Sequence, residues 1–280
     1  MRVINTNEIE AIVVDLVGQA ALNVRPDVVA FFKKAYKQEE DPTAKEIFAK
    51  LIENSKLAKK NQVPYCQDTG LEVIFCDIGQ EVKLEGKFIG QAINPAVAKA
   101  CKKYFLRASV VKDPLNRVNT KNNSPAVIHY EIVPGDKIKI TTLVKGFGSE
   151  NKSKVFLLNP TISQEELKAI IMKSVKEIGA DACPPYLLGI GLGGTLDQAV
   201  LLSKKACLEK IGKKNLLPNL RSLEADLYQE LNNLKIGPLG FGGKFTVMDV
   251  KIKTYPTHIA GMPLALHFAC HALRSSSILI

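Results

Sequence analysis

The pattern of apolar residues changes character once along this chain, at a short polar stretch that ends at Gly70. Before it, residues 7 to about 60 repeat apolar side chains every three to four positions, which predicts a run of α-helices. After it, segments rich in β-branched and aromatic residues alternate with helical ones. We therefore predict a mixed α/β (α+β) fold, with a helical N-terminal region followed by a mixed sheet, packed helices and glycine-rich active-site loops.

The individual elements follow from the same patterns. Helices are predicted over residues 8–22, 26–36, from 41 on, 94–105, 161–178, from 195 and through 201–214, and 222–234. Strands are predicted over residues 71–77, 126–132, 137–144 and 245–252. We expect the second and third strands to pair as a hairpin across Pro134-Gly135-Asp136.

The length of 280 residues is enough to bury a large hydrophobic core, and no internal repeat or linker divides the sequence. We predict one domain over residues 1–280, with a helical lead-in over about 7–60 and a mixed α/β body over about 61–280. No run approaches the roughly 18 apolar residues of a membrane span. The first residues lack the apolar core of a signal peptide, so the cytoplasm is the expected location.

The net charge of +10 allows three kinds of partner, namely nucleic acid, an acidic protein and a small anionic substrate. The lysines occur as scattered pairs in predicted helices, and no aromatic residues interleave with them as on a base-stacking surface. Solvated helix faces are therefore the favoured interpretation. A basic nucleic-acid-binding or nucleotide-binding protein remains a distant alternative.

A glycine pattern could be taken for a dinucleotide site. The motif G-x-G-x-x-G is matched by Gly189, Gly191 and Gly194. Such a site needs a full strand before the glycines, and Pro184-Pro185 leaves room for only about three to four strand residues. It also needs an acidic residue after the next strand, whereas Glu209 lies in a predicted helix. We expect a tight loop that leads into a helix from Thr195, whose N-terminal end attracts anions.

The six cysteines fall into two groups by setting. Three lie inside predicted strands or helices and are expected to be buried apolar groups, namely Cys76, Cys101 and Cys207. Three lie in loops, namely Cys66, Cys183 and Cys270. Their separations of 117 and 87 residues contain no close pair of the kind found in zinc fingers or ferredoxins. Three such thiols brought together would leave one metal position without a protein ligand, as Lewis-acid catalysis requires.

Five short motifs occur in order along the chain. They are Cys-Gln-Asp-Thr-Gly at 66–70, Lys-Gly-Phe-Gly-Ser-Glu-Asn at 145–151, Cys-Pro-Pro at 183–185, the glycine loop at 189–195 and Cys-His-Ala at 270–272. With these motifs, roughly residues 8–275 resemble the alpha subunit of the two-subunit class I fumarate hydratases. The L-tartrate dehydratases are close relatives of that family. The resemblance implies reversible hydration of fumarate to L-malate, or alternatively dehydration of tartrate to oxaloacetate.

The resemblance also implies a site. It implies a [4Fe-4S] cluster with one open iron, held by Cys66, Cys183 and Cys270. It implies substrate contacts from Gln67, Asp68, Arg107, Gly146 and His258, of which Asp68 and His258 are the candidate catalytic residues. Single-chain members of the family continue into a second domain, whereas this sequence ends six residues after Arg274. The resemblance therefore implies a separate beta subunit in a heterotetramer and a dicarboxylate substrate, with neither nucleic acid nor membrane as a partner.

Overall fold

The computed structural model describes residues 1–280. The chain divides into two compact units. Unit 1 consists of Met1–Arg25, Asn54–Phe147 and Arg274–Ile280, and unit 2 consists of Pro26–Glu53 and Gly148–Leu273. Both units combine helices with a sheet, which confirms the predicted mixed α/β fold. The prediction of a single domain over residues 1–280 is not tested by this division and stays a prediction.

The elements are numbered in chain order. The helices are α1 (Thr6–Leu22), α2 (Pro26–Gln38), α3 (Pro42–Asn61), α4 (Ile89–Lys103), α5 (Phe147–Glu150), α6 (Gln164–Ile178), α7 (Leu196–Ala206) and α8 (Pro218–Asn232). The strands are β1 (Arg2–Asn5), β2 (Leu71–Gly79), β3 (Val82–Glu85), β4 (Val127–Val133), β5 (Ile138–Lys145), β6 (Lys154–Leu158), β7 (Tyr186–Gly193), β8 (Val247–Tyr255), β9 (Met262–Ala269) and β10 (Arg274–Leu279).

The helix starts follow ordinary capping chemistry. Proline is the first residue of α2, α3 and α8, where its missing N–H group is not needed. Asp41 caps α3, since its Oδ1 accepts a hydrogen bond from the Ala44 backbone N–H at 2.8 Å. Ser163 and Glu166 form a reciprocal capping box at the start of α6.

Unit 1 contains a four-stranded sheet in the order β10-β5-β2-β4 and a small parallel pair of β1 and β3. Strand β2 is central, because it runs parallel to β4 on one side and antiparallel to β5 on the other. The core between this sheet and helices α1 and α4 contains Ile9, Val13, Val17, Ile74, Cys76, Ile93, Val97, Ile138 and Ile140. The buried residues of α1 recur every three to four positions, the spacing from which the N-terminal helices were predicted.

The predicted hairpin is wrong. Strands β4 and β5 exist close to where they were expected, but β2 lies between them. The segment that joins them bonds to the end of β2 instead, since Gly79 donates its N–H to the Lys137 carbonyl and Glu81 donates to the Gly135 carbonyl. Strand β2 is buried throughout its central residues, whereas β4 is largely exposed. The more apolar strand therefore takes the centre of the sheet.

Unit 2 contains a second four-stranded sheet, in the order β6-β9-β7-β8. Strand β7 is central, parallel to β8 and antiparallel to β9. Helices α6 and α8 contribute to its core, which contains Ile171, Val175, Leu188, Ile190, Leu223, Leu227, Val250, Leu266 and Phe268. The sequence patterns did not reveal β6 and β9, nor β1, β3 and β10 in unit 1.

Three strand residues precede Gly189, as predicted, but the first motif glycines do not form the expected tight loop because the strand continues through them. Strand β7 has eight residues and includes two of the motif glycines. A Cβ on Gly189 would lie 2.2 Å from the Ser203 carbonyl oxygen, and one on Gly191 would lie 1.9 Å from the Ala199 carbonyl oxygen. Both oxygens belong to α7, so the missing side chains allow α7 to lie directly on the strand. The predicted helix after Thr195 is confirmed, although α7 ends at Ala206 and not near 214.

None of the helices combines the length and the apolar character that a membrane crossing requires.

Candidate active site

The polar stretch at 66–70 lies in unit 1, in the segment that leads from α3 into β2. The Asp68 carboxylate accepts two backbone hydrogen bonds, one at Oδ1 from Gly70 at 2.9 Å and one at Oδ2 from Phe147 at 2.8 Å. Gly70 has a φ of +77°, and a Cβ there would lie 2.8 Å from the Lys145 carbonyl oxygen. The glycine thus lets the stretch lie against the end of β5, and two N–H donors fix the orientation of the carboxylate.

Gly146 lies directly beside Asp68. A Cβ on Gly146 would lie 3.1 Å from Asp68 Oδ2 and 3.8 Å from Nη2 of Arg274. Arg274 begins β10, and the same Nη2 donates to the backbone carbonyl of Asp68 at 2.7 Å. The Asp68 carboxylate and the Arg274 guanidinium group therefore both lie beside Gly146 in unit 1.

Arg107 is tied to the same stretch through its backbone. Its carbonyl oxygen accepts hydrogen bonds from Thr69 Oγ1 at 3.1 Å and from Asn123 Nδ2 at 2.8 Å. The side chain of Arg107 is exposed, as is that of Gln67, whereas Asp68 is half-buried. Four of the five predicted substrate contacts thus lie on connected segments of unit 1, namely Gln67, Asp68, Arg107 and Gly146.

Two of the three loop cysteines are neighbours in unit 2. Cys183 ends the turn after α6, and Cys270 follows β9. The backbone N–H of His271, the residue after Cys270, donates to the Cys183 carbonyl oxygen at 3.2 Å. The side chain of Cys183 is exposed and that of Cys270 is half-buried, so both thiols are accessible.

The other three cysteines have a different environment, as the sequence predicted. Cys76, Cys101 and Cys207 are all buried. Burial raises the pKa of the Cys76 thiol to about 12, and burial together with the Glu72 carboxyl raises the pKa of Cys101. Because a thiolate is the form that binds a metal, these groups are unsuited to be ligands.

The donor set of the loop cysteines fits an iron–sulfur cluster. Cys66, in unit 1, is half-buried, so all three loop thiols are reachable, and soft thiolate groups are the ligands that such clusters use. No three side chains of His, Cys, Asp or Glu are grouped so that they could hold a single metal ion. Cys66 belongs to unit 1 and the other two to unit 2, so the predicted ligand set stays a prediction.

His258 occupies an exposed turn between β8 and β9 in unit 2. Its Nδ1 accepts a hydrogen bond from the Ala260 N–H at 3.1 Å, so the proton of the neutral ring belongs on Nε2. The eight residues of β9 separate this turn from Cys270, which is about 25 Å of extended chain. The structure therefore does not bring His258 beside Cys183 and Cys270.

Sequence reasoning assigned no role to two buried charged residues of this site, Glu72 and Arg274. Arg274 is 1% exposed and Glu72 is 0% exposed. A charged residue that interrupts a buried strand, as Glu72 does in β2, is the sequence signal that could have revealed Glu72, whereas Arg274 begins a mostly exposed strand and gives no such signal.

A large cavity lies elsewhere in unit 2. It has a volume of about 1120 Å³ and opens between α2 and α8, with Phe31, Tyr228 and Phe245 among its lining residues. None of the predicted site residues lines it. Cavity size therefore does not locate the candidate site, and the hydrogen bonds around Asp68 are the better guide.

Comparison with known proteins gives a consistent result. The family model described as fumarate hydratase (Fumerase) matches residues 10–278. A provisionally named L(+)-tartrate dehydratase subunit alpha from Methanocaldococcus jannaschii is 37% identical over 273 residues, covering 95% of each chain. The L(+)-tartrate dehydratase subunit alpha of Escherichia coli O157:H7 is 30% identical over 98% of this chain and 91% of its own. That of Escherichia coli K12 is 29% identical with the same coverage.

Proposed function

Because this chain belongs to the fumarate hydratase (Fumerase) family, we propose that it is the alpha subunit of an iron–sulfur hydro-lyase that reversibly hydrates fumarate to L-malate. The observation that carries the proposal is the group around Asp68. A carboxylate held by two backbone N–H groups contacts Gly146, and Arg107 is bonded to the adjacent Thr69. These groups are suited to bind a small dicarboxylate and to move one of its protons.

The exposed guanidinium of Arg107 would bind one substrate carboxylate, because its planar fork matches a carboxylate in bidentate fashion. Gln67 would donate from its amide to the substrate, and Gly146 would offer its backbone amide. At Gly146, any side chain would crowd the Asp68 carboxylate, so the glycine keeps this space open. These contacts orient the dicarboxylate before the proton is moved.

Asp68 is the proposed general base. Its two N–H donors hold the carboxylate in one orientation, which general-base catalysis requires. In dehydration Asp68 would take the proton from the carbon next to the one that carries the hydroxyl, and in hydration it would return it. The Arg107 guanidinium would stabilise the negative charge that develops on the substrate carboxylate.

Cys66, Cys183 and Cys270 are the proposed ligands of a [4Fe-4S] cluster. When bound, a cluster with one iron lacking a cysteine ligand supplies Lewis-acid polarisation of the substrate hydroxyl, without electron transfer. The accessibility of these three thiols, against the burial of the other three, supports this assignment.

His258 is kept as a proposed catalytic and substrate-contacting residue on the resemblance alone. In the structure its turn contacts the glycine turn after β7, since Thr257 Oγ1 donates to the Gly194 carbonyl at 3.1 Å. A proton on Nε2 would let its ring donate to a substrate oxygen.

A separate beta subunit is part of the proposal. The relatives from Methanocaldococcus jannaschii and Escherichia coli are named as alpha subunits, which supports a partner chain for this one. We propose a heterotetramer in which the beta subunit completes the substrate contacts. Alone, this chain would be catalytically incomplete.

A second substrate has specific support. The relatives are named as L(+)-tartrate dehydratases, so dehydration of tartrate to oxaloacetate is the alternative. Malate and tartrate differ by one hydroxyl group, and a site built to hydrogen-bond that group rejects the substrate without it by about 10⁴-fold.

The test is a turnover assay of the chain, reconstituted anaerobically with iron and sulfide and combined with its beta subunit. Fumarate, L-malate and L-tartrate are offered separately, and kcat/KM is measured for each. We expect fumarate and malate to be interconverted with the higher kcat/KM. Faster turnover of tartrate would transfer the assignment to the alternative, and turnover of none would overturn the hydro-lyase proposal.

A further inference from the structure

Glu72 is a carboxyl group with no explained purpose in the fold. It is 0% exposed, and neither of its carboxyl oxygens has a hydrogen-bond partner in the protein. Burying a polar group without a hydrogen bond costs about 1–3 kcal/mol by mutational data, and more when the group is charged. A buried polar group without a partner therefore needs an explanation.

Glu72 shares one row of the unit 1 sheet with Arg274. Glu72 in β2 lies opposite Val144 in β5, and Val144 lies opposite Arg274 in β10. Residues opposite one another in adjacent strands point to the same face. Two strand spacings separate the backbones by about 10 Å, a gap that the long side chains of Glu and Arg can largely close.

The ionisable groups that act on the Glu72 carboxyl are Arg274 from β10 and Cys101 from α4. Burial raises the pKa of Glu72 to about 7, and the positive charge of Arg274 opposes that rise. Cys101 is itself buried with a raised pKa, so it stays neutral at neutral pH. Arg274 is thus the charged partner of Glu72 on this face of the sheet.

Arg274 in turn holds the candidate general base. Its Nη2 donates to the Asp68 carbonyl oxygen at 2.7 Å and would lie 3.8 Å from a Cβ on Gly146. The guanidinium is itself buried, and a buried charge needs a charge or hydrogen bonds to compensate it. Arg274 is thus hydrogen-bonded to Asp68 on one side, and on the other its charge acts on the Glu72 carboxyl without a hydrogen bond.

We propose that Arg274 is a positioning residue that fixes the Asp68 backbone, and that the buried carboxyl of Glu72, in the same row of the sheet, favours this place of the Arg274 guanidinium through its charge. The catalytic consequence rests on the proposed function, since it takes Asp68 as the general base. The positioning itself is a property of the polypeptide and is measurable without turnover. Truncating Arg274 removes a charged donor from the Asp68 carbonyl, so the carboxylate loses its fixed place relative to the Gly70 and Phe147 amides.

The first readout is hydrogen exchange, followed by mass spectrometry on peptides that cover residues 68–71 and 146–148. Arg274→Ala should raise exchange in both peptides by on the order of ten-fold, because their amides are protected by bonds to Asp68. Arg274→Lys should restore part of the protection. Protection of the central residues of β2 and β5 reports whether the sheet remains folded.

The second readout is steady-state kinetics of the reconstituted enzyme with its beta subunit. Arg274→Ala should lower kcat by about 10- to 100-fold, the effect expected when a catalytic group moves by about 1 Å, while KM changes less than about three-fold. Below about pH 6 the side chains of Glu72 and of its Gln replacement are both neutral, so the kcat of Glu72→Gln should equal that of the wild type. Above about pH 8 the kcat of the variant should be lower than that of the wild type.

A matched control is Arg221→Ala in unit 2. Arg221 is exposed and also donates to backbone carbonyl oxygens, with Nε 2.9 Å from the Asn215 oxygen. It should change neither the exchange of the two peptides nor kcat.

Unchanged exchange in both peptides of a folded Arg274→Ala variant would overturn the positioning role. Raised exchange together with a kcat equal to that of the wild type would overturn its catalytic consequence. If the Arg274→Ala variant does not fold, hydrogen exchange of the two peptides and kcat are measured on Arg274→Lys and Glu72→Gln instead, and the same comparison with the wild type is made. A wild-type enzyme that turns over no dicarboxylate would overturn the proposed function, while the exchange measurements would still decide the positioning role.

Discussion

The backbone N–H of Phe147 donates to Oδ2 of Asp68 at 2.8 Å, across 79 residues of sequence. This bond joins the motif at 66–70 to the motif at 145–151. Strands β2 and β5 make the contact possible, because Leu71 pairs with Lys145 in their antiparallel register. The pairing of β2 with β5 thus brings two polar stretches that are far apart in sequence next to each other.

Asp68→Asn tests this arrangement. An amide has only one acceptor oxygen, so one of the two N–H groups that face Asp68 would meet an NH₂ group. We expect a loss of about 1–2 kcal/mol in the free energy of unfolding, measured in urea. We also expect kcat to fall by 10² or more, because the amide cannot take a proton. Asp136→Asn, at an exposed turn of the same unit, is the control and should change neither quantity. Full activity of Asp68→Asn would remove Asp68 from the mechanism.

The predicted residues Asp68 and Gly146 lie side by side in the structure, whereas part of the fold around them differs from the prediction. The polar stretch was recognisable because its residues have no use in a buried element, and Gly146 was named only through the family resemblance. The position of β2 between β4 and β5 was not recognisable, because a short turn signal favours a hairpin and only the burial of β2 decides against it. Arg274 also escaped notice, since its bond to Asp68 depends on a pairing 206 residues apart in sequence.

Helix boundaries show the same limit. Helix α4 starts at Ile89 and contains Pro95 inside it, whereas Asn94-Pro95 was expected to begin it. Proline in a helix interior costs about 3 kcal/mol, so local rules place it at a start. Tertiary packing decides otherwise here, since Ile89, Ala92 and Ile93 are buried in the core of unit 1.

The two groups of cysteines predict a pattern of chemical labelling. In the metal-free folded chain, iodoacetamide should modify Cys66, Cys183 and Cys270 at least ten-fold faster than the three buried cysteines, because alkylation needs an accessible thiolate. Mass spectrometry of time points gives the six rates. Reconstitution with iron and sulfide should then protect those same three cysteines. Equal protection of Cys101, or no protection at all, would contradict the ligand assignment. Cys101→Ser should retain the full iron content, and Cys66→Ser should lose it.

Glu72 predicts an unusual pH dependence of stability. Its pKa is about 7 in the folded chain against an ordinary value of 4.5, so the native state binds a proton that the unfolded state releases. The stability that this neutral carboxyl retains below pH 4.5 is therefore lost as the pH rises to about 7, by about 3 kcal/mol in total. Glu72→Gln lacks this loss. When unfolding in urea is measured from pH 4.5 to pH 8, the free energy of unfolding of Glu72→Gln should rise relative to that of the wild type by about 3 kcal/mol. A difference that does not change with pH would contradict the raised pKa.

The close contact between β7 and α7 predicts a strict requirement for glycine. Gly191→Ala would place a methyl group 1.9 Å from the Ala199 carbonyl oxygen, so the helix must move away from the sheet. We expect a loss of about 2–4 kcal/mol in the free energy of unfolding. Gly261→Ala is the matched control in the same unit, since no atom lies within 4 Å of the added Cβ. Similar losses for both variants would mean that the contact does not set the requirement.

Arg107 predicts a change in substrate affinity and not in folding. Its backbone is fixed by Thr69 and Asn123, while its side chain is exposed, so Arg107→Lys should leave the free energy of unfolding within about 0.5 kcal/mol of the wild type. A lysine keeps the positive charge but loses the bidentate fork, so KM for the dicarboxylate should rise about ten-fold or more. Arg117→Lys, at another exposed arginine of unit 1, should leave KM unchanged. A drop in kcat at constant KM would instead mean that Arg107 acts only on the transition state, and an unchanged KM and kcat would remove it from the site.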